Sequence, residues 1–273
     1  MTETIARIKF LSRKSACFFF KLFRHFPVFE EFALFFDDRS VSLAAYDQTK
    51  VSMIYMKLTY PLAEVQIFKK IERIDLDLSA LKRFLGIARF WDTLLEIKQN
   101  EGVYAIHLCF SKNEQTIEYN VGVAKTDVDI LESHLKQITE SWDESQELYS
   151  FDIDTKRFYD TMRFADLVDA TGFDFKVIKN TLELFAKSKR KIRDIAFKST
   201  MKIDLVKRPK KEFISSYSLE YLKSITNSIP DMKINISYSY DKPLILKACL
   251  GTIKYFLAPR IDDDWDDYSG DEL

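Results

Sequence analysis

Short runs of alternating apolar and polar residues, each bounded by turn residues, recur along this chain and read as strands. Between them lie stretches whose apolar residues recur every three or four positions, which read as amphipathic helices. The first half predicts a strand leading into a helix at 12–25. A hairpin of strands 28–36 and 41–47 follows, turning at Asp37-Asp38-Arg39-Ser40. A second helix is predicted over 78–89, then strands at 93–100, 104–110 and 115–123. The second half predicts the same plan: a helix at 155–168, and a hairpin of 172–178 and 181–188 turning at Lys179-Asn180. A helix at 218–228 and strands at 233–240, 243–250 and 251–258 complete it.

The two plans are a repeat at an offset of about 140 residues. DLSALKRFLG (77–86) returns as SLEYLKSITN (218–227), and Thr116-Ile117-Glu118-Tyr119 returns as Thr252-Ile253-Lys254-Tyr255. The expected organisation is an α+β chain of two similar domains, 1–123 and 149–261, with a connector at 124–148 and an acidic tail at 262–273. The connector is polar around an apolar island of Val128, Ile130 and Leu131, with room for a short amphipathic helix over 128–141.

The chain's 273 residues, 47% of them hydrophobic, are enough to fill two cores. Twenty-three Phe against six Gly argue against glycine-rich phosphate loops and against disorder. Cys17, Cys109 and Cys249 form no CxxC pair and sit among apolar residues, as buried thiols of a reducing compartment do. The apolar run 16–20 lies between Lys14 and Lys21 and is too short to span a membrane. The N-terminus shows no secretory pattern, and without one the terminal GDEL carries no weight as a retention signal.

Charge is unevenly placed. Net charge is −1, yet the tail from 261 onward carries seven carboxylates, so the remainder is at +6. Helix 12–25 holds Arg13, Lys14, Lys21, Arg24 and His25 and no acid; helix 78–89 holds Lys82, Arg83 and Arg89 and no acid. Helix 155–168 sets Lys156, Arg157 and Arg163 against Asp160 and Asp166, and helix 218–228 sets Lys223 against Glu220. Basic side chains on short helices suit phosphate contact without base reading, although a solvated helix face has the same composition. Two further clusters, Lys187–Arg193 and Lys207–Lys211, could serve as nucleic-acid patches or localisation signals, although solvated hairpin tips are the plainer reading.

Catalytic constellations are missing from the pattern. His25, His107 and His134 lack partners at metal-ligand spacing, and there is no phosphate loop or nucleophile elbow. Asp75 and Asp77 stand at strand spacing, where two carboxylates could act on a polyanion, but an acid preceding a helix is the plainer reading. Asp262, Asp263 and Asp264 offer a divalent ion no rigid cage. The expectation is no enzyme, no metal and no cofactor.

The segment Tyr255-Phe256-Leu257-Ala258-Pro259-Arg260-Ile261-Asp262-Asp263 resembles the C-terminal signature of DNA sliding clamps of the proliferating-cell-nuclear-antigen type. Tyr221-Leu222 and Lys242-Pro243-Leu244 fall before it in the family's order. Val41 to Ser52 is similar to the family's segment with a central aspartate and polar turn. The resemblance covers roughly 5–262, and the LAPRI segment is its specific part. A longer connector, a Phe-rich first helix and a longer link to strand 28–36 mark a divergent member, as in an archaeal or mobile-element-encoded clamp.

The resemblance implies a non-enzymatic ring of three subunits joined head to tail, with antiparallel sheets outside and helices lining a central hole around duplex DNA. The basic residues named above would face the phosphates, and subunits would meet between strand 116–123 and strand region 182–188. A clamp loader would open the ring, and DNA polymerase, flap nuclease and ligase would dock through short peptides. The docking groove implied by position uses Tyr46, Lys50, Val51, Val128, Ile130 and Pro243, with Tyr255, Leu257, Ala258, Pro259 and Ile261. For Val51, Tyr255 and Leu257, sequence alone favours core packing. The ring could be a homo- or heterotrimer; a specialised subunit for damage signalling or repair is the alternative role. The location implied is the nucleoid of an archaeal cell or a eukaryotic nucleus, with neither secretion nor a membrane partner.

Overall fold

The computed structural model describes residues 2–25, 29–128, 147–187, 196–229, 232–240, 242–248 and 252–260. The first half runs β1 (Glu3–Phe10), α1 (Arg13–His25), β2 (Glu31–Asp37), β3 (Ser40–Tyr46), β4 (Ser52–Leu58), β5 (Ala63–Ile67) and β6 (Arg73–Asp77). A 3-10 segment (Ser79–Phe84) then runs into α2 (Leu85–Ala88), followed by β7 (Asp92–Asn100), β8 (Val103–Lys112) and β9 (Gln115–Val123). The second half repeats this order. It comprises β10 (Tyr149–Asp154), α3 (Thr155–Asp166), β11 (Gly172–Ile178), β12 (Thr181–Lys187), β13 (Ala196–Lys202), β14 (Asp204–Lys207) and β15 (Ser215–Ser218). It ends with α4 (Leu219–Ser228), β16 (Lys233–Tyr238), β17 (Leu244–Ala248) and β18 (Ile253–Leu257).

Among the described residues the strands form three antiparallel sheets, ordered β5-β1-β7-β8-β9, β14-β10-β16-β17-β18-β4-β3-β2-β6 and β13-β12-β11-β15. The nine-stranded sheet crosses from one half to the other where β18 pairs with β4. Ladder registers align the repeat independently of residue identity. Tyr119 stands opposite Leu108 in β8, and Tyr255 stands opposite Leu246 in β17, as the TIEY and TIKY matches require. The helix match slides by one residue. Buried Ala16, Phe20 and Phe23 of α1 correspond to buried Phe158, Met162 and Ala165 of α3, so α1 aligns with α3 from its first residue.

The Phe-rich helix is the core of the first half. Phe20 is fully buried, with its ring 6.5 Å from Phe84 and 6.3 Å from Phe110, and Phe19 lies 4.9 Å from Phe23 and 5.2 Å from Phe10. Burying each such ring stabilises the fold by roughly 1.5–3 kcal/mol. In the second half, Tyr149, Phe175, Tyr217 and Tyr238 form the matching aromatic centre.

Two expectations are corrected. The helix predicted over 78–89 is 3-10 over Ser79–Phe84, because Leu78, Leu81 and Phe84 recur every third residue, which aligns them on one side of a three-residue turn. The strand region expected at a subunit junction, 182–188, falls in β12, which is paired on both sides by β11 and β13. The edge of that sheet is β13, and the edge of the first sheet is β9. The connector helix expected over 128–141, the cluster Lys189–Arg193, Cys249, His134 and the tail lie outside the described residues. Cys17 and Cys109 are free thiols, half-buried. Among the described residues no helix is long and apolar enough to cross a membrane.

Candidate nucleic-acid interface

Helices α1 and α3 begin where a side-chain oxygen accepts an otherwise open N–H group. Ser12 Oγ accepts the backbone N–H of Ser15 at 3.1 Å ahead of α1, and Asp154 Oδ1 accepts that of Arg157 at 3.0 Å ahead of α3. Each helix therefore starts on a defined residue, and its basic side chains take defined directions. The apolar faces of α1, α3 and α4 pack inward, and α1 lies against α4 of the other half.

A cleft of about 850 Å³ opens between these helices. Arg13, Lys14 and Lys21 of α1, Arg89 after α2, and Lys156 of α3 line it, against one acid, Asp160. Five cations from both halves thus share one concave wall, where low-dielectric surroundings concentrate their field. Arg13 is drawn to one rim by Asp92, Nε to Oδ1 at 2.9 Å, an exposed pair worth little by itself. Lys82 and Arg83 are exposed on the 3-10 segment and do not line the cleft; nor do exposed Arg157 and Arg163. Lys223 is ion-paired with Asp166 in a neighbouring depression that Arg260 also lines. The side chain of Arg24 lies outside the described residues.

The groove residues expected from the resemblance divide by strand parity. In β18, Ile253, Tyr255 and Leu257 face the helices and join the main core; Tyr255 and Leu257 are fully buried. They cannot touch a docked peptide, and this corrects their assignment. Phe256 faces the other way. It joins Ala33, Ala44, Met53, Val128, Leu148 and Ile245 in a second, smaller apolar cluster, with Tyr46 packed against it. Phe256, Met53 and Ile245 were missed by sequence reasoning, although the alternation in 253–257 carried the signal. Val51 packs against the main core, its carbonyl accepting the Ala258 N–H at 2.8 Å, while Lys50 is exposed and Pro243, Ala258 and Pro259 are half-buried. Ile130 and Ile261 lie outside the described residues. The LAPR segment runs beside β15: the Arg260 N–H donates to the Ser216 carbonyl at 2.8 Å, and its Nη1 donates to Thr171 Oγ1 at 2.9 Å. Gly172 leaves room for this packing, since a Cβ there would crowd the Arg260 side chain and force its guanidinium to shift.

Two polar clusters brace this framework. Asp47, 2% exposed after β3, accepts the Ser52 N–H at 2.7 Å, the Thr49 hydroxyl, and the Tyr221 hydroxyl at 2.6 Å from the other half. Burial pushes its carboxyl up, but these hydrogen bonds outweigh burial and hold it below the usual range. Glu96 on β7 meets Arg7 Nε at 2.7 Å, Lys98 Nζ at 3.0 Å and His107 Nδ1 at 3.1 Å. Burial raises its carboxyl, yet hydrogen bonds from Lys98, His107 and Arg7 bring it down to about 2. Asp75 is engaged structurally: Arg73 bonds both its oxygens, and the Val128 N–H donates to Oδ2 at 3.0 Å. Asp77 Oδ1 accepts the Ser79 N–H at 2.8 Å, so it tethers the helical segment it precedes. Among the described residues no group of three or more His, Cys, Asp or Glu side chains could hold a metal ion.

No family model matches the chain. No curated protein matches it in sequence. Among solved structures, the crystal structure of Proliferating Cellular Nuclear Antigen from Entamoeba histolytica matches with a TM-score of 0.75, covering 95% of this chain and 100% of that one at 16% identity. The chain has the two-domain clamp fold of that protein.

Proposed function

We propose that this chain is a DNA sliding clamp: a subunit of a trimeric ring that encircles duplex DNA, slides along it and tethers polymerase and other replication or repair proteins. The observation that carries this reading is the gathering of Arg13, Lys14, Lys21, Arg89 and Lys156 from both halves into one concave helix face, on a clamp fold. Such a face attracts phosphates at any register, since screened Lys and Arg contacts read no bases. Confinement by the ring, rather than tight binding, then keeps the protein on DNA while it slides. The domains would be 1–123 and 149–261, joined by the connector 124–148. Partner peptides would anchor on the outer side of the nine-stranded sheet near Tyr46, Lys50, Val128, Pro243, Ala258 and Pro259, away from the buried Tyr255 and Leu257. Clamp loader, polymerase, flap nuclease and ligase are the proposed partners, and nucleus or nucleoid the proposed location.

The test is topological. Loaded onto nicked circular duplex with a clamp loader, the protein is expected to stay bound through gel filtration and to leave when the circle is linearised. Equal loss from circular and linear DNA would refute the clamp. The double variant Lys14→Ala/Lys156→Ala should weaken clamp-stimulated synthesis with assembly intact. Lys82→Ala/Arg83→Ala should weaken it less, because those two side chains lie outside the cleft.

A further inference from the structure

The segment after Arg260, 261–273, lies outside the described residues, and the clamp reading gives it no part. Its sequence, IDDDWDDYSGDEL, holds seven carboxylates and no cation, with Trp265 and Tyr268 set among them. The helix cleft has the matching chemistry. Its five cations face one acid, and Phe18, Leu62, Ile229 and Met232 line the same space. Phosphates need the cations but have no use for apolar walls, because a duplex backbone is charged along its whole length. A segment that mixes acids with aromatic rings uses both. Carboxylates pair with the ammonium and guanidinium groups, while ring faces cover apolar surface and stack on cations.

The chain also delivers the segment to this place. Arg260 is tied down beside β15, its N–H donating to the Ser216 carbonyl at 2.8 Å and its Nη1 to Thr171 Oγ1 at 2.9 Å. Its side chain lines a depression of about 550 Å³ that shares Tyr159 and Asn227 with the cleft, so the two spaces adjoin. An extended chain gains about 3.3 Å per residue, which puts Trp265 within ~16 Å of Arg260 and residue 273 within ~43 Å. Helix α1, 13 residues long, measures about 20 Å, so the segment can run the length of that wall. Being tethered, it meets the cleft at an effective concentration of about millimolar, and individually weak ion pairs suffice.

We propose that 261–273 folds back into the cleft between α1, α3 and α4 and competes there with DNA phosphates, its carboxylates on Lys14, Lys21 and Lys156 and its two rings against the apolar lining. The cleft is thereby closed to loosely bound duplex and opens when a continuous phosphate backbone displaces the segment. This deepens the clamp reading and rests on it for the competitor, duplex DNA; the contact within the chain stands apart from it.

Two measurements on the full chain test the proposal. Carbodiimide joins a carboxylate to an amine in direct contact with it, and mass spectrometry of the digested protein locates each link. Links from Asp264, Asp266 or Asp267 should fall on Lys14, Lys21 or Lys156. Links spread over exposed lysines elsewhere, such as Lys82 and Lys202, would leave the cleft to DNA alone and overturn the proposal. The second measurement is affinity for a short linear duplex at low, fixed salt. A segment that fills the cleft about nine-tenths of the time weakens apparent affinity about tenfold. Asp264→Asn/Asp266→Asn/Asp267→Asn should therefore tighten binding by about tenfold, and Trp265→Ala/Tyr268→Ala, which leaves every charge in place, by roughly three- to tenfold. In a Lys14→Ala/Lys156→Ala background both gains should shrink toward nothing. Because the expected change is a gain in binding, loss of folded protein works against it and cannot imitate it. Tightening by the charge variant alone is what general repulsion between DNA and an acidic segment gives, and it overturns docking. Links confined to the cleft with equal duplex affinity in all variants overturn the competition. Links confined to the cleft with no duplex bound by any variant support the contact and refute the clamp reading.

Discussion

Replacing Tyr221 with Phe removes one hydroxyl and tests how the two halves are held. That hydroxyl donates to Asp47 Oδ2 at 2.6 Å, linking α4 to the turn between β3 and β4. The acceptor is a carboxylate 2% exposed, and hydrogen bonds to charged groups contribute about 1.5–3 kcal/mol. Asp47 keeps the Ser52 N–H and the Thr49 hydroxyl, so the lower part of that range, about 1.5–2 kcal/mol, is expected. The pH dependence fixes the mechanism. Asp47 is held below its ordinary range, so its contribution is present above the unfolded value and is lost as pH falls through the folded one. Urea unfolding at pH 7 should show Tyr221→Phe less stable than wild type at unchanged slope, and the gap should shrink once the pH falls below the ordinary carboxylate range and Asp47 protonates. A loss under about 0.5 kcal/mol at pH 7, or a gap that persists undiminished in acid, would refute the reasoning.

Two further outcomes follow from the packing and the charges. Glu96 is nearly buried and titrates at about 2, so Glu96→Gln should cost up to about 3 kcal/mol at neutral pH. Wild-type stability should then fall toward the variant's between about pH 5 and 2, measured by urea midpoints across that range, because a depressed carboxylate loses its advantage on protonation. Phe20→Ala empties a site ringed by Phe10, Phe19, Phe84 and Phe110 and should cost about 3–5 kcal/mol, read as a lowered urea midpoint.

Local features were legible because local physics decides them. Strands β9 and β11 occupy the residues the alternation predicted, and the Asp37–Ser40 turn falls where its polar residues stand. Strand order was not legible. Periodicity identifies β12 as a strand but is silent on whether it lies inside a sheet, so 182–188 was a poor choice for an edge. The β18–β4 pairing joins residues some 200 positions apart and leaves no local trace. Charge on helices was visible, but the pairing of Arg13 with Asp92 and of Lys223 with Asp166 was not, since partners 79 and 57 residues away come together only through the sheet. Tyr255 and Leu257 were misplaced for a different reason. Position in the motif places them beside the groove, but strand parity sends alternate side chains to opposite faces and turns these two inward.

The repeat also distinguishes the two junctions of the proposed ring. Within the chain, β18–β4 is braced by the Tyr221–Asp47 bond, which draws α4 onto the neighbouring turn. At the junction between copies, the position equivalent to Tyr221 is Ala80, which has no hydroxyl to donate. The strand pairing can be copied there, but the brace cannot. The internal junction is also covalently continuous through the connector, whereas the one between copies is held by noncovalent contacts alone. Copied onto the free edges β9 and β13, the β18–β4 register sets Asn120 opposite Ala196, and a ring that must admit DNA should part there rather than between β18 and β4. A disulfide across the β9–β13 edge, from Asn120→Cys and Ala196→Cys, should trap closed rings that fail to load onto circular DNA and recover on reduction. Undiminished loading of the oxidised ring would show that opening occurs elsewhere.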